Sequence, residues 1–289
     1  MNLLVAPFAD NEFMRLALTG SVLVALTCAV AGTWVVLRGL AFVGDALAHG
    51  VLPGIATALL LGVSGLLGAA VGAIIMMAGV GVVTRRLRLG GDTAIGLLFV
   101  AMLALGVAIT SRSESFTGDL TRILFGELLG ATPGTLGIQT VALAAVVVIA
   151  VVAHRPLLMM SVDEGLAQAA GFSARFFHAM MLAMVAISVI TGFQTVGTLL
   201  VLGMLIAPPA TGALFARRIG SMTAIAAASG VASSYAGLLV SFHFDLAAGA
   251  SIVLVATGIF AIAAVAKMIV HAGRPDDDVP HVHGTVHVP

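Results

Sequence analysis

The sequence is poor in charge. Only 9% of its 289 residues are Asp, Glu, Lys or Arg, where a soluble domain carries roughly 25%. Acidic and basic residues balance at 13 each, so no net field points to nucleic acid or to an acidic substrate. A single cysteine, Cys28, excludes an internal disulfide and a cysteine-built zinc site. No G-x-x-x-x-G-K-S/T motif occurs and Lys267 is the one lysine, so the chain cannot hydrolyse ATP by a P-loop. The absence of H-E-x-x-H removes the commonest zinc-protease reading, and no G-x-S-x-G is found.

What is present is apolar. Hydrophobic residues make up 60% of the chain and mean hydropathy is +1.17. A soluble fold of this composition would lack the charge to cover its surface. The sequence therefore predicts an all-α integral membrane protein. A bilayer core needs roughly 20 apolar residues per helix, and nine runs qualify: about 14–37, 40–62, 65–84, 93–111, 136–153, 176–193, 197–216, 220–241 and 249–270. The turn near Thr195 to Gly197 is very short, so eight spans plus a re-entrant segment is the alternative. Residues 1–272 read as one transmembrane domain, with a polar tail at 273–289 that is expected to be disordered. No cleavable secretory signal is expected, since no Lys or Arg precedes Arg15.

Basic residues orient the bundle. With the N-terminus outside, Arg38, Arg85, Arg86, Arg88, Arg155, Arg175, Arg217, Arg218, Lys267 and Arg274 fall at cytoplasmic ends. Only Arg15, Arg112 and Arg122 fall outside. This is the positive-inside pattern, and it places the C-terminus in the cytoplasm. Gly68 and Gly72 form a G-x-x-x-G, followed by Gly79 and Gly81. Such residues permit close helix approach, within one chain or at a dimer seam.

Nearly all ionisable residues sit at the ends of the apolar runs, and the second run is the exception. The second run contains Asp45 and His49. Their i, i+4 spacing puts them on one helix face, about 6 Å apart along the axis. An ionised Asp facing lipid costs at least about 2.5–3.5 kcal/mol near the bilayer centre. A carboxylate and an imidazole on one face can bind a divalent transition metal such as zinc or manganese. They can also share a proton as a relay, or tie two helices together. Pro53 has no N–H to give the His49 carbonyl, which leaves that oxygen as an extra ligand or simply kinks the helix.

Other polar groups are weaker candidates. His243 and Asp245 sit two apart in the outer loop before the last run, as an entry point or as solvated residues. His178 starts the sixth run and reads as an interface residue. Glu114, Asp119 and Glu127 lie in the long outer loop, facing a partner or solvent. The tail carries His281, His283 and His287, which could bind metal weakly. Cys28 and the 13 methionines pack apolar faces. Between His154 and Arg175, Asp163 and Glu164 open a short Ala-rich stretch that Gly171 closes. Acids at the start and glycine at the end suit a short surface helix. Its alanine face, including Ala167, is shaped to enter a groove on another protein; the alternative is an ordinary connecting turn.

The stretch Val36 to Gly54, with Gly44-Asp45-Ala46-Leu47-Ala48-His49-Gly50 at its centre, resembles the second-helix motif of the bacterial permeases of metal-ion ABC transporters. Thr195 to Val201 followed by Ile206-Ala207-Pro208-Pro209-Ala210 is similar to a further block of that family. Leu124-Phe125-Gly126 and Asp245 to Gly249 match smaller patches. The resemblance covers about residues 7 to 265. Ala48, Gly50 and Ala247 stand where Ser, Ala and Pro are commoner, and none of these departures touches Asp45 or His49.

The resemblance implies a multi-pass protein of the bacterial inner membrane that imports zinc, manganese or ferrous iron. It implies that Asp45 and His49 contact the metal in transit, with no permanently bound cofactor. It makes Asp163, Glu164, Ala167 and Gly171 the coupling element for a separate ATP-binding subunit, present in two copies. A second permease copy and an extracytoplasmic metal-binding protein complete the implied assembly. The histidine-bearing tail leans the expected cargo to zinc. The alternative is a proton-coupled secondary transporter or channel using Asp45 and His49 as a relay. A membrane-embedded hydrolase lacks a nucleophile, and permeases for metal chelates tend to be longer.

Overall fold

The structure, a computed structural model, describes residues 7–9, 11–86, 91–111 and 132–272. Among these residues there is helix and no strand. The helices are α1 (Glu12–Leu37), α2 (Ala41–Gly50), α3 (Leu52–Leu60), α4 (Gly65–Arg86), α5 (Gly91–Thr110) and α6 (Pro133–Val152). Then follow α7 (His154–Val162), α8 (Glu164–Ala169), α9 (Ala174–Phe215), α10 (Ile219–Phe244) and α11 (Ala248–Ala272). Nine helical segments among the described residues are long and apolar enough to cross a membrane, with α2 and α3 forming one and α9 supplying two. These match the nine runs expected. Glu114, Asp119, Glu127, Arg88, Arg112, Arg122, Leu124-Phe125-Gly126 and the tail at 273–289 lie outside the described residues.

The bundle is built around α1. Its apolar window is 67% buried, against 11% for α11 at the rim. Small residues allow this. Ala17, Ala25, Cys28, Ala29 and Ala31 are all fully buried, and a Cβ on Gly32 would collide with the Leu205 carbonyl of α9. Rim helices turn large apolar side chains outward, among them Ile74, Leu97, Val141, Val148 and Ile262. In water such faces would drive aggregation, whereas lipid or another helix accepts them.

Helix directions alternate. Thr223 of α10 bonds Thr33 of α1 at 3.2 Å, while Gly230 faces Ala25, so α10 runs antiparallel to α1. Gly50 packs on Met76 and Gly54 on Gly68, so α4 runs antiparallel to the α2–α3 segment. Gly237 meets Ile252, closing α10 and α11 as a hairpin. These pairings gather Arg38, Arg86, Arg155, Arg175, Arg217, Arg218 and Lys267 at one face of the bundle, and put Arg15 at the other.

The 42-residue α9 is two helices joined at Gly197, whose φ of 77° and ψ of 165° are not helical. A Cβ on Gly192 would sit 2.5 Å from Val201 Cγ2. Nine residues along an uninterrupted helix would separate these positions by about 13.5 Å, so the chain doubles back. Cys28 Sγ lies 3.8 Å from the Val201 carbonyl and Gly32 meets Leu205, which sets the returning arm parallel to α1. That register places the Gly197 turn level with Val24, near the middle of α1. Neighbouring α6 starts higher, beside Gly20. Val196 and Thr198 are 0% and 2% exposed. The tip is therefore enclosed by protein, the condition under which irregular backbone survives at membrane depth. Each arm, Ala174–Phe193 and Val196–Phe215, is 20 residues long and apolar enough to cross a membrane, and the outer ends of both arms lie on the Arg175 and Arg217 face.

The helix break in the second span is clamped by glycines. A Cβ on Gly54 or Gly68 would collide with the other's carbonyl, and Gly72 lies against Val51. Gly106 of α5 closes the third side, with its Cβ position 2.9 Å from Leu52 Cβ. Gly68→Ala should lower stability by about 1–3 kcal/mol through overpacking, read as a drop in the thermal midpoint in detergent. Gly258→Ala, where nothing lies within 4 Å, should leave the midpoint unchanged. Equal midpoints for the two variants would contradict the clamp.

Candidate functional site

Asp45 and His49 lie on α2, the short N-terminal half of the second span. Asp45 Oδ1 is 3.2 Å from His49 Nδ1. The same nitrogen is 3.1 Å from the Asp45 carbonyl oxygen. Both neighbours are acceptors, so Nδ1 carries the proton and donates to them. With Nδ1 turned to these acceptors, Nε2 is the ring nitrogen that points away from Asp45, and the second carboxylate oxygen of Asp45 is outside this contact. A histidine ligand oriented by a hydrogen bond from its other nitrogen is the arrangement metal sites use. The two side chains are 22% and 32% exposed, neither buried in a core nor fully open.

Local sequence explains the placement. α2 ends at Gly50, Val51 joins it to α3, and Pro53 sits in the first turn of α3, where proline is tolerated. Phe99 of α5 meets the His49 ring edge-on, with centroids 5.3 Å apart, and fixes its plane. Gly44, one residue before Asp45, lies against Leu205 of the returning α9 arm. Seven residues on from Gly44 is Val51, and seven back from Leu205 is Thr198. At about 1.5 Å per residue, the break at Val51 and the turn at Gly197 lie at one depth, about half a turn beyond His49.

The pair does not complete a metal shell alone. Among the described residues no cluster of three or more His, Cys, Asp or Glu is gathered. Backbone carbonyls at the break, water or a second chain are the remaining ligand sources. His243 and Asp245 are not brought to the pair. His243 Nδ1 is 2.8 Å from the Leu239 carbonyl, and Asp245 caps α10 in the left-handed region with φ of 51°. Both sit on the Arg15 face, opposite the basic one.

On the basic face the stretch from Asp163 to Gly171 forms a capped helix. The Asp163 carboxylate accepts from the Gly165 and Leu166 amides at 2.5 and 3.3 Å. Gly171 ends the helix with φ of 84°, and the Phe172 amide bonds the Ala167 carbonyl at 2.9 Å. Ala167 is fully buried within this chain, so it anchors the helix; Asp163, Glu164 and Leu166 face outward. A cavity of about 580 Å³ opens beside it, between Glu164, Gln168, Arg175 and the Ala78–Gly81 turn of α4. Sequence reasoning missed one member of this region. Arg38, read only as an orientation marker, bonds Glu164 at 2.7 Å and lies 3.2 Å from His178. Its partners are 126 and 140 residues away, so no spacing could reveal them.

Comparison with known proteins is consistent with this geometry. The model of the ABC 3 transport family matches residues 10–267. The manganese transport system membrane protein MntC of Halalkalibacterium halodurans is 38% identical over 252 residues, covering 87% of this chain and 86% of that protein. The chelated iron transport system membrane protein YfeD of Yersinia pestis is 33% identical, covering 91% and 88%. The solved structure of PsaBC from Streptococcus pneumoniae in complex with Fab superposes with a TM-score of 0.81 at 33% identity, over 90% of this chain and 95% of that one.

The cap carries a test of its own. Asp163→Ala should cost α8 about 1 kcal/mol, seen as several-fold faster amide exchange over 165–169, while Asp163→Asn keeps most of the protection. Unchanged exchange in Asp163→Ala would remove the carboxylate from this role.

Proposed function

This chain belongs to the ABC 3 transport family and is a metal ABC transporter permease of the cell membrane; from that premise we propose that it passes manganese, with ferrous iron next, along a path through Asp45 and His49. The 3.2 Å carboxylate–imidazole pair inside an apolar span carries the reading. One carboxylate with one imidazole suits manganese and ferrous iron as well as zinc, so the cargo is read from the relatives. The relatives reported above are named for manganese and iron. The lean to zinc rested on the tail at 273–289, outside the described residues, and none of those names supports it. Family membership does not favour the proton-coupled alternative.

The working assembly in this reading has two permease copies, two ATP-binding subunits and an extracytoplasmic metal-binding protein. Residues 1–272 act as one transmembrane unit. The basic face is cytoplasmic by the positive-inside rule, and the loop near 155–175 meets the ATP-binding subunit through Asp163 and Glu164, with Ala167 and Gly171 holding the helix in shape. His243 and Asp245, on the opposite face, receive metal from the binding protein. Nothing in the pair is built to hold metal tightly, as passage requires.

The test is uptake with manganese, iron and zinc in competition. Asp45→Asn and His49→Ala should each lower uptake at least about tenfold while the ATP-binding subunit still co-purifies. Uptake at the unmodified level in either variant would overturn the site. Preferential zinc accumulation would overturn the cargo.

A further inference from the structure

We infer that the ion pair between Arg38 and Glu164 is the link that carries motion of the cytoplasmic-loop helix α8 to the metal-bearing helix α2, making Arg38 a positioning residue for transport. The inference rests on the proposed function above and gives a role to a residue near the start of the Val36 to Gly54 stretch that was read there only as an orientation marker.

Arg38 is the C-cap of α1. Its side chain is 8% exposed, while that of Glu164 is 58% exposed. A pair exposed at both ends contributes little. A nearly buried guanidinium depends on its partners, because stripping one away strands the charge. Arg38 has two. Nη2 donates to Glu164 Oε1 at 2.7 Å, and Nη1 approaches His178 Nδ1 at 3.2 Å. An arginine only donates, so His178 Nδ1 accepts. One side chain thus joins α8, the first turns of α9 and the end of α1.

The connection onward to the site is short. After Arg38 come Gly39, in the left-handed region with φ of 64°, and Leu40, and then α2 begins at Ala41. Nothing lies within 4 Å of a Cβ on Gly39, so backbone conformation and not packing calls for glycine there. Asp45 and His49 ride on the same ten-residue helix. The far end of α2 is pinned by the glycine clamp at Val51–Gly54. Its near flank borders a cavity of about 160 Å³ between Leu40, Val43 and Leu47 on one side and Met76 and His178 on the other. Close-packed interiors resist displacement, and here the packing is relieved along α2. A pull on Arg38 from Glu164 would tilt α2 about its clamped end and shift Asp45 and His49.

The test uses the assembled transporter in liposomes, with ATP hydrolysis and manganese entry read together. Arg38→Cys and Glu164→Cys are combined and studied with and without a short bismaleimide; native Cys28 is fully buried and does not react. Without the linker, manganese carried per ATP should fall about tenfold, and Arg38→Ala, which leaves the proposed contact of Glu164 with the ATP-binding subunit in place, should show the same fall with that subunit still bound. Joining the two cysteines should restore most of the loss, because α8 and α2 again move together. Normal stoichiometry in the unlinked variant would overturn the link. So would a loss that the linker fails to repair, which would assign Glu164 to the ATP-binding subunit alone. An unmodified transporter that assembles yet moves no manganese would overturn the proposed function instead.

Discussion

A peptide carbonyl or amide left without a partner in hydrocarbon costs several kcal/mol. The rest of this structure depends on that constraint. The chain interrupts its helices twice at one depth, at Val51 in the second span and at Gly197 in α9. Both interruptions survive because protein surrounds them. Gly54, Gly68, Gly72 and Gly106 bring backbone against backbone at the first. Buried Val196 and Thr198 line the second. The glycines thus serve a packing purpose that their number alone does not convey.

The same two interruptions frame the candidate pathway. His49 stands next to last in the helix that the first break truncates, with Asp45 one turn before it, and Leu205 of the second segment packs against Gly44 beside them. Broken helices near the membrane midplane are where transporters place their substrate groups, since freed backbone dipoles can help to solvate an ion. The site is therefore polar at a point and apolar around it. That contrast suits a group that must release what it binds.

Charge is distributed with similar economy. Arg15 apart, the basic residues placed in the described helices collect at one face, and the short helix from Glu164 to Ala169 sits among them. Arg38 reaches from that face into the bundle and ends the helix preceding α2. The surface where an ATP-binding subunit is proposed to act and the segment bearing Asp45 and His49 are consequently separated by one side chain and two residues of backbone.

The sequence by itself determined the membrane class, the nine apolar segments, the sidedness of charge and the placement of Asp45 and His49 on one helix face. Each of these follows from composition, run length or i, i+4 spacing, which are local and one-dimensional quantities. It also marked Asp163 and Gly171 as helix ends, because capping depends on neighbours in the chain. Only the tertiary structure decided that the Gly197 turn is buried level with Val24, that Ala167 points inward, and that Arg38 pairs with Glu164. Those facts depend on contacts between residues far apart in sequence, whose register is set by shape and packing across helices and leaves no periodic trace in either segment.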